Sequence, residues 1–426
     1  MRIFCSGIGG IGLSAYASHM LLLGHEVLGS DRTDSELLQD LRLQGIQITL
    51  KQDGESMPKD LDLFIYSEAI PENSPERTEA AKRGMRQISY FQALGELTAG
   101  KDLIAICGTH GKSSTTAMVV QVLVDAKRDP SAVIGTKVPF LKGRNWRQGD
   151  GNLWIVEACE YRRSFLSLKP SIIVVTNTDG DHFDSFVDID DYRKAFLEFF
   201  SALPENGVII AHGLDEESMK IARASRRTCI DADKEETPDL GVPGNHMKQN
   251  AKLVLALARH LGVDDQIAKD CLKNFTGTWR RMEVKGTTKN GITIVDDYAH
   301  HPTEIKATLA AMREAYGNRR IIAVFQPHTH DRTLKLWNEF AGAFGDADET
   351  LLTSVYDARP DRDSKRVDEK SLAAAIEIQS RRPCLFAGGL EKTEQILCSN
   401  IAKSGDVIVV MGAGDITKLS DRLLKR

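Results

Sequence analysis

The sequence has no paired cysteine motif, no long apolar run and no excess of basic residues, and each absence excludes a class of protein. Its seven cysteines are scattered without a Cys-x-x-Cys pair, which argues against a disulfide framework or a zinc site and favours a reducing, cytoplasmic location. No stretch approaches the roughly 18 apolar residues of a membrane span. The net charge of -5 argues against a nucleic-acid binder held by bulk electrostatics. Because the chain begins almost directly with a strand-like run, we expect no signal peptide.

The remaining composition is that of a globular protein with several domains. A length of 426 residues suggests two to four domains, and 42% hydrophobic with 27% charged residues is ordinary for a folded chain. Strand-like apolar runs alternate with helical stretches, which predicts an α/β fold with mostly parallel sheets. The alternation restarts three times. The sequence therefore predicts three domains, each a mostly parallel sheet with flanking helices: a Rossmann-like domain at 1–98, a P-loop ATPase-like domain at 99–277 and a Rossmann-like domain at 278–426.

A glycine-rich loop between an apolar strand and a helix is the most informative feature. The strand is predicted at residues 103–107 and the helix at 117–126. Glycines let backbone N–H groups close around a phosphate, the helix N-terminus faces the anion, and a lysine adds positive charge. The usual loop has a glycine six residues before its lysine, where this chain has Ile106. The pattern predicts a nucleotide-phosphate site formed by Gly108, Thr109, His110, Gly111, Lys112, Ser113 and Ser114.

A second glycine pattern stands near the start of the chain. Gly7, Gly9, Gly10 and Gly12 follow the first strand and open an apolar helix, and Asp31 ends the next strand. This is the dinucleotide-binding fingerprint with its acidic residue, although any diphosphate-bearing nucleotide suits the same helix N-terminus. Two separate phosphate sites in one chain need a reason. A UDP-linked substrate in the first domain and ATP in the second would supply one.

Polar side chains at strand ends of the central domain are candidate Mg²⁺ ligands. Glu157 ends the apolar strand at 153–156, and His182 lies in the polar loop that follows the strand at 171–176. Ligands of open α/β sheets bind at the carboxyl ends of the strands. Together with the hydroxyl of Ser113 and phosphate oxygens, these residues predict a Mg²⁺ site, although Mg²⁺ usually prefers oxygen to imidazole.

The last domain has arginines and four histidines in loops that follow predicted strands at 292–296 and 320–325. The histidines are His300, His301, His328 and His330. These loops offer no cysteine ligand and no His-x-x-x-His on a helix, so zinc is the less favoured interpretation. The arginines fit better as forks for carboxylate or phosphate groups.

These motifs, in this order, resemble those of the Mur ligases, which build the peptide of the bacterial cell wall. The resemblance covers essentially the whole chain and depends on the compact Gly-Thr-His-Gly-Lys-Ser loop, Gly-Ile-Gly-Gly-Ile-Gly at 7–12, Asp-Tyr-Ala-His-His-Pro-Thr-Glu at 297–304 and Phe-Gln-Pro-His at 325–328. It is closest to the branch that adds L-alanine to UDP-N-acetylmuramate. The resemblance implies that ATP, with Mg²⁺, phosphorylates the muramate carboxylate, and that the amine of L-alanine attacks the resulting acyl phosphate.

The resemblance also implies roles for individual side chains. The implied catalytic residues are Lys112, Glu157, His182, Arg281 and His300. Arg281 resembles a phosphate contact, Asp297 the residue that binds the ATP ribose, and Asn250 a further nucleotide contact. The implied substrate contacts are Gly7, Gly9, Gly10, Gly12, Asp31, Ser67, Tyr298 and Arg332. Among these, Arg332 resembles the fork that holds the incoming carboxylate, with Tyr298 and His300 near the amine.

Three positions depart from the family pattern: Met247, Cys159 and Glu68, the last of which occupies what is often a second serine. Met247 stands where the family usually has an asparagine, and a thioether cannot replace the paired donor and acceptor of an amide. Cys159 occupies a position that is often aspartate, and we assign it no chemistry. Phe196 stands where several Mur ligases place a carbamylated lysine, which agrees with the alanine-adding branch.

Other interpretations stay open at this point. The nearest is the recycling ligase that adds a preformed tripeptide to the same sugar nucleotide. A nicotinamide-dependent oxidoreductase would use the first glycine pattern but would leave the phosphate loop unexplained. An ATP-regulated binding protein that keeps the fold without ligation is supported only by Met247. The sequence leaves the choice between monomer and homodimer open.

Overall fold

The computed structural model describes residues 1–180, 185–357 and 365–425 and contains three β-sheets flanked by helices. The chain forms two compact units, one of Met1–Asp239 with Asn250–Phe275 and one of Leu240–Gln249 with Thr276–Arg426. The first two sheets lie in the first unit and the third sheet in the second. The prediction of an α/β fold with three mostly parallel sheets is confirmed. The exact domain boundaries drawn from the sequence stay predictions.

The first sheet has five strands, all parallel, in the order β3-β2-β1-β4-β5. Its central strand is almost fully buried, as expected for a parallel sheet covered on both faces. The elements in chain order are β1 Arg2–Ser6, α1 Ile11–Leu22, β2 Glu26–Ser30, α2 Glu36–Leu43, β3 Gln47–Thr49, β4 Leu63–Tyr66, α3 Pro75–Lys82, β5 Gln87–Ser89 and α4 Tyr90–Leu97.

The second sheet has seven strands in the order β12-β11-β10-β6-β9-β7-β8, and only the β7–β8 pair is antiparallel. Its central strands are continuous apolar runs, which is why the sequence pattern identified them. The elements are β6 Asp102–Cys107, α5 Lys112–Asp125, β7 Ser131–Val138, β8 Arg144–Arg147, β9 Leu153–Glu157, β10 Ile172–Val175, α6 Ile189–Ser201, β11 Val208–Ala211, α7 Glu216–Ala224, β12 Thr228–Asp231, α8 Asn245–His260 and α9 Asp265–Lys273. Short 3₁₀ turns cover Pro139–Leu141, Tyr161–Ser167 and Ala232–Lys234.

The third sheet has six strands in the order β13-β14-β18-β15-β16-β17, and only β13 pairs antiparallel with its neighbour. The elements are β13 Glu283–Thr287, β14 Thr293–Asp297, α10 Pro302–Tyr316, β15 Ile321–Phe325, α11 His330–Lys335, α12 Trp337–Ala341, β16 Glu349–Thr353, α13 Glu369–Ser380, β17 Cys384–Gly388, α14 Leu390–Ile396, β18 Val407–Met411 and α15 Thr417–Leu424. A single π-turn covers Leu397–Ile401. Within the described residues, no helix has the length and apolar character needed to cross a membrane.

The first two sheets share one hydrophobic core, which makes them a single compact unit. Helix α1 of the first sheet packs on β7 and β8 of the second. At this contact the ring of His19 meets Trp154 and Trp146 edge to face, with ring centroids 5.0 and 6.1 Å apart. On the other side, a Cβ atom added to Gly95 in α4 would lie 2.2 Å from the carbonyl oxygen of Ser167. Only glycine permits this close approach.

The buried histidine makes the stability of this contact depend on pH. His19 is 2% exposed, and burial lowers the pKa of its imidazole from 6.5 to about 4. Between these values the unfolded chain binds a proton that the folded chain does not. We therefore expect His19 to contribute a fall in the free energy of unfolding of about 1.4 kcal/mol per pH unit as the pH drops from 6.5 towards 4. Urea unfolding at several pH values should show a slope that is steeper by this amount in the wild type than in His19→Leu. The variant His260→Leu, at an exposed position, controls for the loss of one histidine, and equal slopes in all three proteins would contradict the prediction.

Candidate active site

The predicted phosphate loop joins β6 to α5, and its shape depends on two glycines with positive φ. Gly108 has φ +130° and Gly111 has φ +85°, which other residues rarely adopt. A Cβ atom at Gly108 would also lie 2.1 Å from the hydroxyl of Thr176. Helix α5 begins at Lys112, five residues before the predicted start, and the hydroxyl of Thr116 donates to the carbonyl of Lys112 one turn earlier in the helix.

Two asparagines hold this loop in shape. The backbone N–H groups of Thr109 and His110 donate to the carbonyl and the side-chain oxygen of Asn177 (3.0 and 3.2 Å), and the Asn177 amide donates back to the His110 carbonyl at 3.1 Å. Asn250 is buried against the other end of the loop, since a Cβ atom at Gly111 would lie 2.7 Å from its Oδ1. The N-cap residue of α5 is Gly111, which has no side chain to cap the helix, and the first N–H groups of a helix lack partners within it. The structure therefore brings Asn250 to the predicted phosphate-binding loop.

The ammonium of Lys112 is held from three directions. It donates to the carbonyl oxygens of Gly108 and Thr109 and to the carboxylate of Glu160, whose oxygens lie 3.0 and 3.2 Å away. The Glu160 side chain is fully buried and that of Lys112 is 13% exposed. Burial by itself lowers the pKa of Lys112, but the neighbouring acidic groups, Glu160 foremost, raise it above its ordinary value. The lysine is therefore a fixed positive charge at the loop.

Sequence reasoning missed Glu160 and its buried neighbour Tyr192. The Tyr192 hydroxyl lies 2.8 Å from the hydroxyl of Thr109 and donates to Glu160 at 3.4 Å. Glu160 stands three residues after the candidate metal ligand Glu157, so the second glutamate of Glu-Ala-Cys-Glu was the available signal. Tyr192 carried no such signal, because a tyrosine in an amphipathic helix resembles an ordinary core residue. Cys159 lies between Glu157 and Glu160 in the sequence. Burial raises the pKa of its thiol to about 12, which agrees with assigning this residue no chemistry.

Two of the three predicted metal ligands lie together. The hydroxyl of Ser113 donates to Oε1 of Glu157 at 3.0 Å, and the N–H of Gly135 donates to Oε2 at 2.7 Å. A Cβ atom at Gly135 would lie 2.3 Å from this carboxylate, so glycine makes room for it. His182 lies outside the described residues. Within the described part of the chain, no three His, Cys, Asp or Glu side chains converge as a metal-binding group.

The glycine turn of the first sheet brings together the residues predicted to contact the sugar nucleotide. Gly7 has φ +77°, and the N–H of Gly9 donates to the carboxylate of Asp31 at 2.9 Å. A Cβ atom at Gly7 would lie 3.0 Å from Cβ of Ser67, which follows β4. At Gly12 a Cβ atom would lie 2.7 Å from the ring of Tyr90, so this glycine lets α1 pack closely.

A buried carboxylate lies below this turn. Glu76 is 2% exposed and accepts hydrogen bonds from the hydroxyls of Ser6 and Ser30, the last residues of β1 and β2. Burial raises the pKa of Glu76, and the two hydrogen bonds oppose this effect. Because β1 and β2 are in register at these serines, Glu76 fixes the carboxyl ends of both strands beside the glycines.

Asp297 ends β14, where it is in register with Met411 at the end of β18. Both of its carboxylate oxygens accept backbone hydrogen bonds, from Met282 at 2.6 Å and Ala299 at 2.7 Å. Burial raises the pKa of Asp297 to about 6, against the lowering effect of the positive charge of Arg281. The carboxylate thus organises two loops of its own chain, and its predicted role as a ribose contact stays a prediction.

The two consecutive arginines of this region differ in their surroundings. Arg280 is buried and donates to Asp296 at 3.0 Å and to the carbonyl of Gly412, so it stabilises the sheet edge. The side chain of Arg281 is 27% exposed and lies 3.8 Å from Glu304. Of the two, Arg281 is therefore the one that a phosphate can reach.

Aromatic and imidazole rings form a row beyond these arginines. The ring of His300 meets Tyr298 at 5.2 Å and His328 at 5.8 Å, and His328 stacks on Tyr356 at 5.9 Å. A guanidinium nitrogen of Arg332 lies 3.3 Å from Nδ1 of His328. The structure thus brings Tyr298, His300 and Arg332, predicted from two different loops, to one row of side chains.

The other histidines of these loops have structural roles. His301 caps the N-terminus of α10 through its side chain, and Nδ1 of His330 accepts the N–H of Val367 at 3.1 Å. Met247 is 3% exposed, as expected for an apolar side chain in place of an amide. Phe196 is fully buried within an aromatic cluster in α6.

Family models and related proteins match the chain along its length. The model described as Mur ligase family, catalytic domain, matches residues 3–102; the Mur ligase middle domain matches 106–254; and the Mur ligase, glutamate ligase domain, matches 280–414. The chain is 37% identical to the UDP-N-acetylmuramate–L-alanine ligase of Lachnospira eligens and 36% identical to that of Clostridium acetobutylicum. In both cases the match covers 100% of this chain and 98% of the relative.

Solved structures give the same result. The UDP-N-acetylmuramate–alanine ligase of Thermotoga maritima is 28% identical, with a TM-score of 0.84 and coverage of 100% of this chain and 99% of that one. A murein peptide ligase from Psychrobacter arcticus, 24% identical with a TM-score of 0.76, shares the fold over 100% of this chain and 98% of its own. With three family regions matched in order and relatives more than a third identical from end to end, the chain belongs to the Mur ligase family.

Proposed function

We propose that this protein is an ATP-dependent ligase that joins L-alanine to the carboxylate of UDP-N-acetylmuramate in peptidoglycan precursor synthesis. The observation that carries this function is the presence of two glycine turns, at residues 7–12 and 108–113, that each lead from a parallel strand into a helix within one compact unit. One turn suits the diphosphate of a sugar nucleotide and the other the phosphates of ATP. The L-alanine ligases among its relatives match the whole chain. The reduced cysteines fit a cytoplasmic reaction.

The first step is phosphoryl transfer. An oxygen of the muramate carboxylate attacks the γ-phosphorus of ATP, and the bond between this phosphorus and the oxygen bridging to the β-phosphate breaks. The products of this step are ADP and the acyl phosphate of the muramate. Such a step needs positioning and charge stabilisation more than covalent help from the protein. Lys112 supplies the fixed positive charge at the loop, and the N-terminus of α5 supplies N–H groups.

The oxygens of Ser113 and Glu157 fit a Mg²⁺ ion, because they lie within 3.0 Å of one another at the start of α5 and Mg²⁺ prefers oxygen ligands. His182 stays a proposed third member of this site. When bound, the ion would neutralise charge on the phosphates. The carboxylate of Glu157 is kept in place by the N–H of Gly135, so its orientation does not depend on the ion.

The second step is attack by the amino acid. The amine nitrogen of L-alanine attacks the acyl carbon, inorganic phosphate leaves, and the nitrogen loses a proton to form the amide. Arg332 is proposed to hold the alanine carboxylate as a fork, with Tyr298 and His300 near the amine. Arg281 is proposed to contact phosphate and Asp297 the ribose. An oxidoreductase would leave the phosphate loop unused, and the L-alanine ligases that match the whole chain support L-alanine over a preformed tripeptide.

Lys112→Ala tests the phosphate loop. Removal of this charge should reduce turnover by about 10²-fold or more while the protein stays folded, because the charge acts on the transferring phosphoryl group. Turnover is measured as product mass from UDP-N-acetylmuramate, ATP, Mg²⁺ and L-alanine, and folding by circular dichroism. Lys101→Ala, which removes an exposed lysine just before β6, is the matched control. Near-normal turnover of the Lys112 variant would exclude the assignment.

Arg332→Lys tests the carboxylate site. The substitution keeps the charge but loses the planar fork, so we expect the apparent KM for L-alanine to rise about tenfold or more. The KM for ATP should change little. Saturation curves for each substrate measure both values. Equal effects on the two KM values, or faster ligation of a preformed tripeptide than of L-alanine by the wild type, would contradict the assignment.

A further inference from the structure

The phosphate loop contains an ion pair that the proposed reaction does not by itself require. The ammonium of Lys112 has three N–H donors. They go to the carbonyls of Gly108 and Thr109 and to the carboxylate of Glu160. The lysine therefore binds its own loop, and Glu160 holds it there from the strand-end segment after β9.

This arrangement determines which charges an arriving phosphate would meet. Carbonyl oxygens carry partial negative charge and would repel a phosphate. The ammonium of Lys112 compensates the oxygens of Gly108 and Thr109 by bonding to both. An anion that approaches the N-terminus of α5 thus meets N–H groups and a lysine whose position is already fixed.

A gain in folding stability is a weak explanation for the buried ion pair of Lys112 and Glu160. Removing two charges from water is costly, and apolar residues of similar volume often stabilise a protein as well as a buried ion pair does. Glu160 is 0% exposed, and it also accepts from the hydroxyl of Tyr192, which in turn contacts Thr109 of the loop. Glu160 is therefore fixed by a side chain that contacts the same loop as the lysine it holds.

We propose that Glu160 is a positioning residue for nucleotide binding: through its buried contact with Lys112 it fixes the lysine and the loop carbonyls in the arrangement that accepts the phosphates of ATP. This inference rests on the proposed function of the loop. Glu160 does not itself touch the nucleotide. Its effect on ATP binding therefore passes through Lys112 and disappears when Lys112 is absent.

A double-mutant cycle on the full-length protein tests this dependence. The dissociation constant of Mg²⁺-ATP is measured by equilibrium dialysis, without the other two substrates, for the wild type, Glu160→Gln, Lys112→Ala and the double variant. Glu160→Gln should weaken ATP binding about tenfold. In the Lys112→Ala background the same change should have no further effect, to within about twofold. The KM values for ATP and L-alanine provide a second readout, in which only the ATP value rises.

Glu235→Gln is the matched control, since Glu235 is a carboxylate 9% exposed and paired with Arg259 at 2.8 Å in the same compact unit. It should leave ATP binding unchanged. Where Glu160→Gln does not fold, Glu160→Asp keeps the charge but shortens the side chain, and should show a smaller effect of the same sign with the same dependence on Lys112.

Several outcomes would overturn the proposal. One is that Glu160→Gln changes the dissociation constant of ATP equally with and without Lys112, and another is that it changes it in neither case. A third is tighter ATP binding by Glu160→Gln, which would show that Glu160 competes with the phosphates for Lys112. A lower kcat with unchanged KM for ATP would indicate a structural role and would also overturn it. Failure of the proposed function is distinguishable, because it appears as normal ATP binding and turnover in Lys112→Ala alone.

Discussion

The parallel pairing of the central strands determines where the candidate functional side chains of this protein lie. Parallel strands end at one edge of a sheet, so residues distant in sequence meet there without any specific attraction between them. In the second sheet, Ile106 pairs with Glu157 and Cys107 with Val175, which brings the phosphate loop, the candidate metal ligand and the Asn177 segment together. In the third sheet, the ends of β14 and β15 both align with the end of β18. The chemistry therefore depends on register before it depends on any single contact.

A charged side chain stabilises a bound ligand or transition state best when the protein itself holds that side chain in a fixed position. In the second sheet, carbonyl oxygens and Glu160 hold Lys112, and Ser113 and a backbone N–H hold Glu157. In the third sheet, backbone N–H groups hold Asp297. Each of these charged groups is therefore held by partners within the protein. Little reorganisation is then needed when substrates bind, which is the condition under which fixed charges stabilise a transition state most effectively.

Local patterns in the sequence were enough to predict the fold class, the main buried strands and the glycine loop between β6 and α5, because apolar runs and glycine spacing are encoded over a few residues. They were not enough for Glu160 and Tyr192. Lys112 and Glu160 are 48 residues apart, and only the register of β6 and β9 makes them partners. The predicted start of α5 was five residues too far along the chain. Serine and threonine at 113–116 are residue types that favour caps and turns, and only the structure shows that the Thr116 hydroxyl bonds within the helix. The sequence also could not show that Arg280 is buried while Arg281 is partly exposed, because the two neighbouring residues are of the same type.

The shared core of the first two sheets has a consequence for substrate length. His19 between two tryptophans, and the close approach of Gly95 to Ser167, join the glycine turn and the phosphate loop in one body. On the proposed assignment, the diphosphate is anchored at one end of this body and the carboxylate reacts at the other. The fixed distance between the two turns would then select a sugar nucleotide by the length between its diphosphate and its carboxylate. An analogue that is one bond shorter would bind at the first turn, but its carboxylate would not reach the phosphate loop.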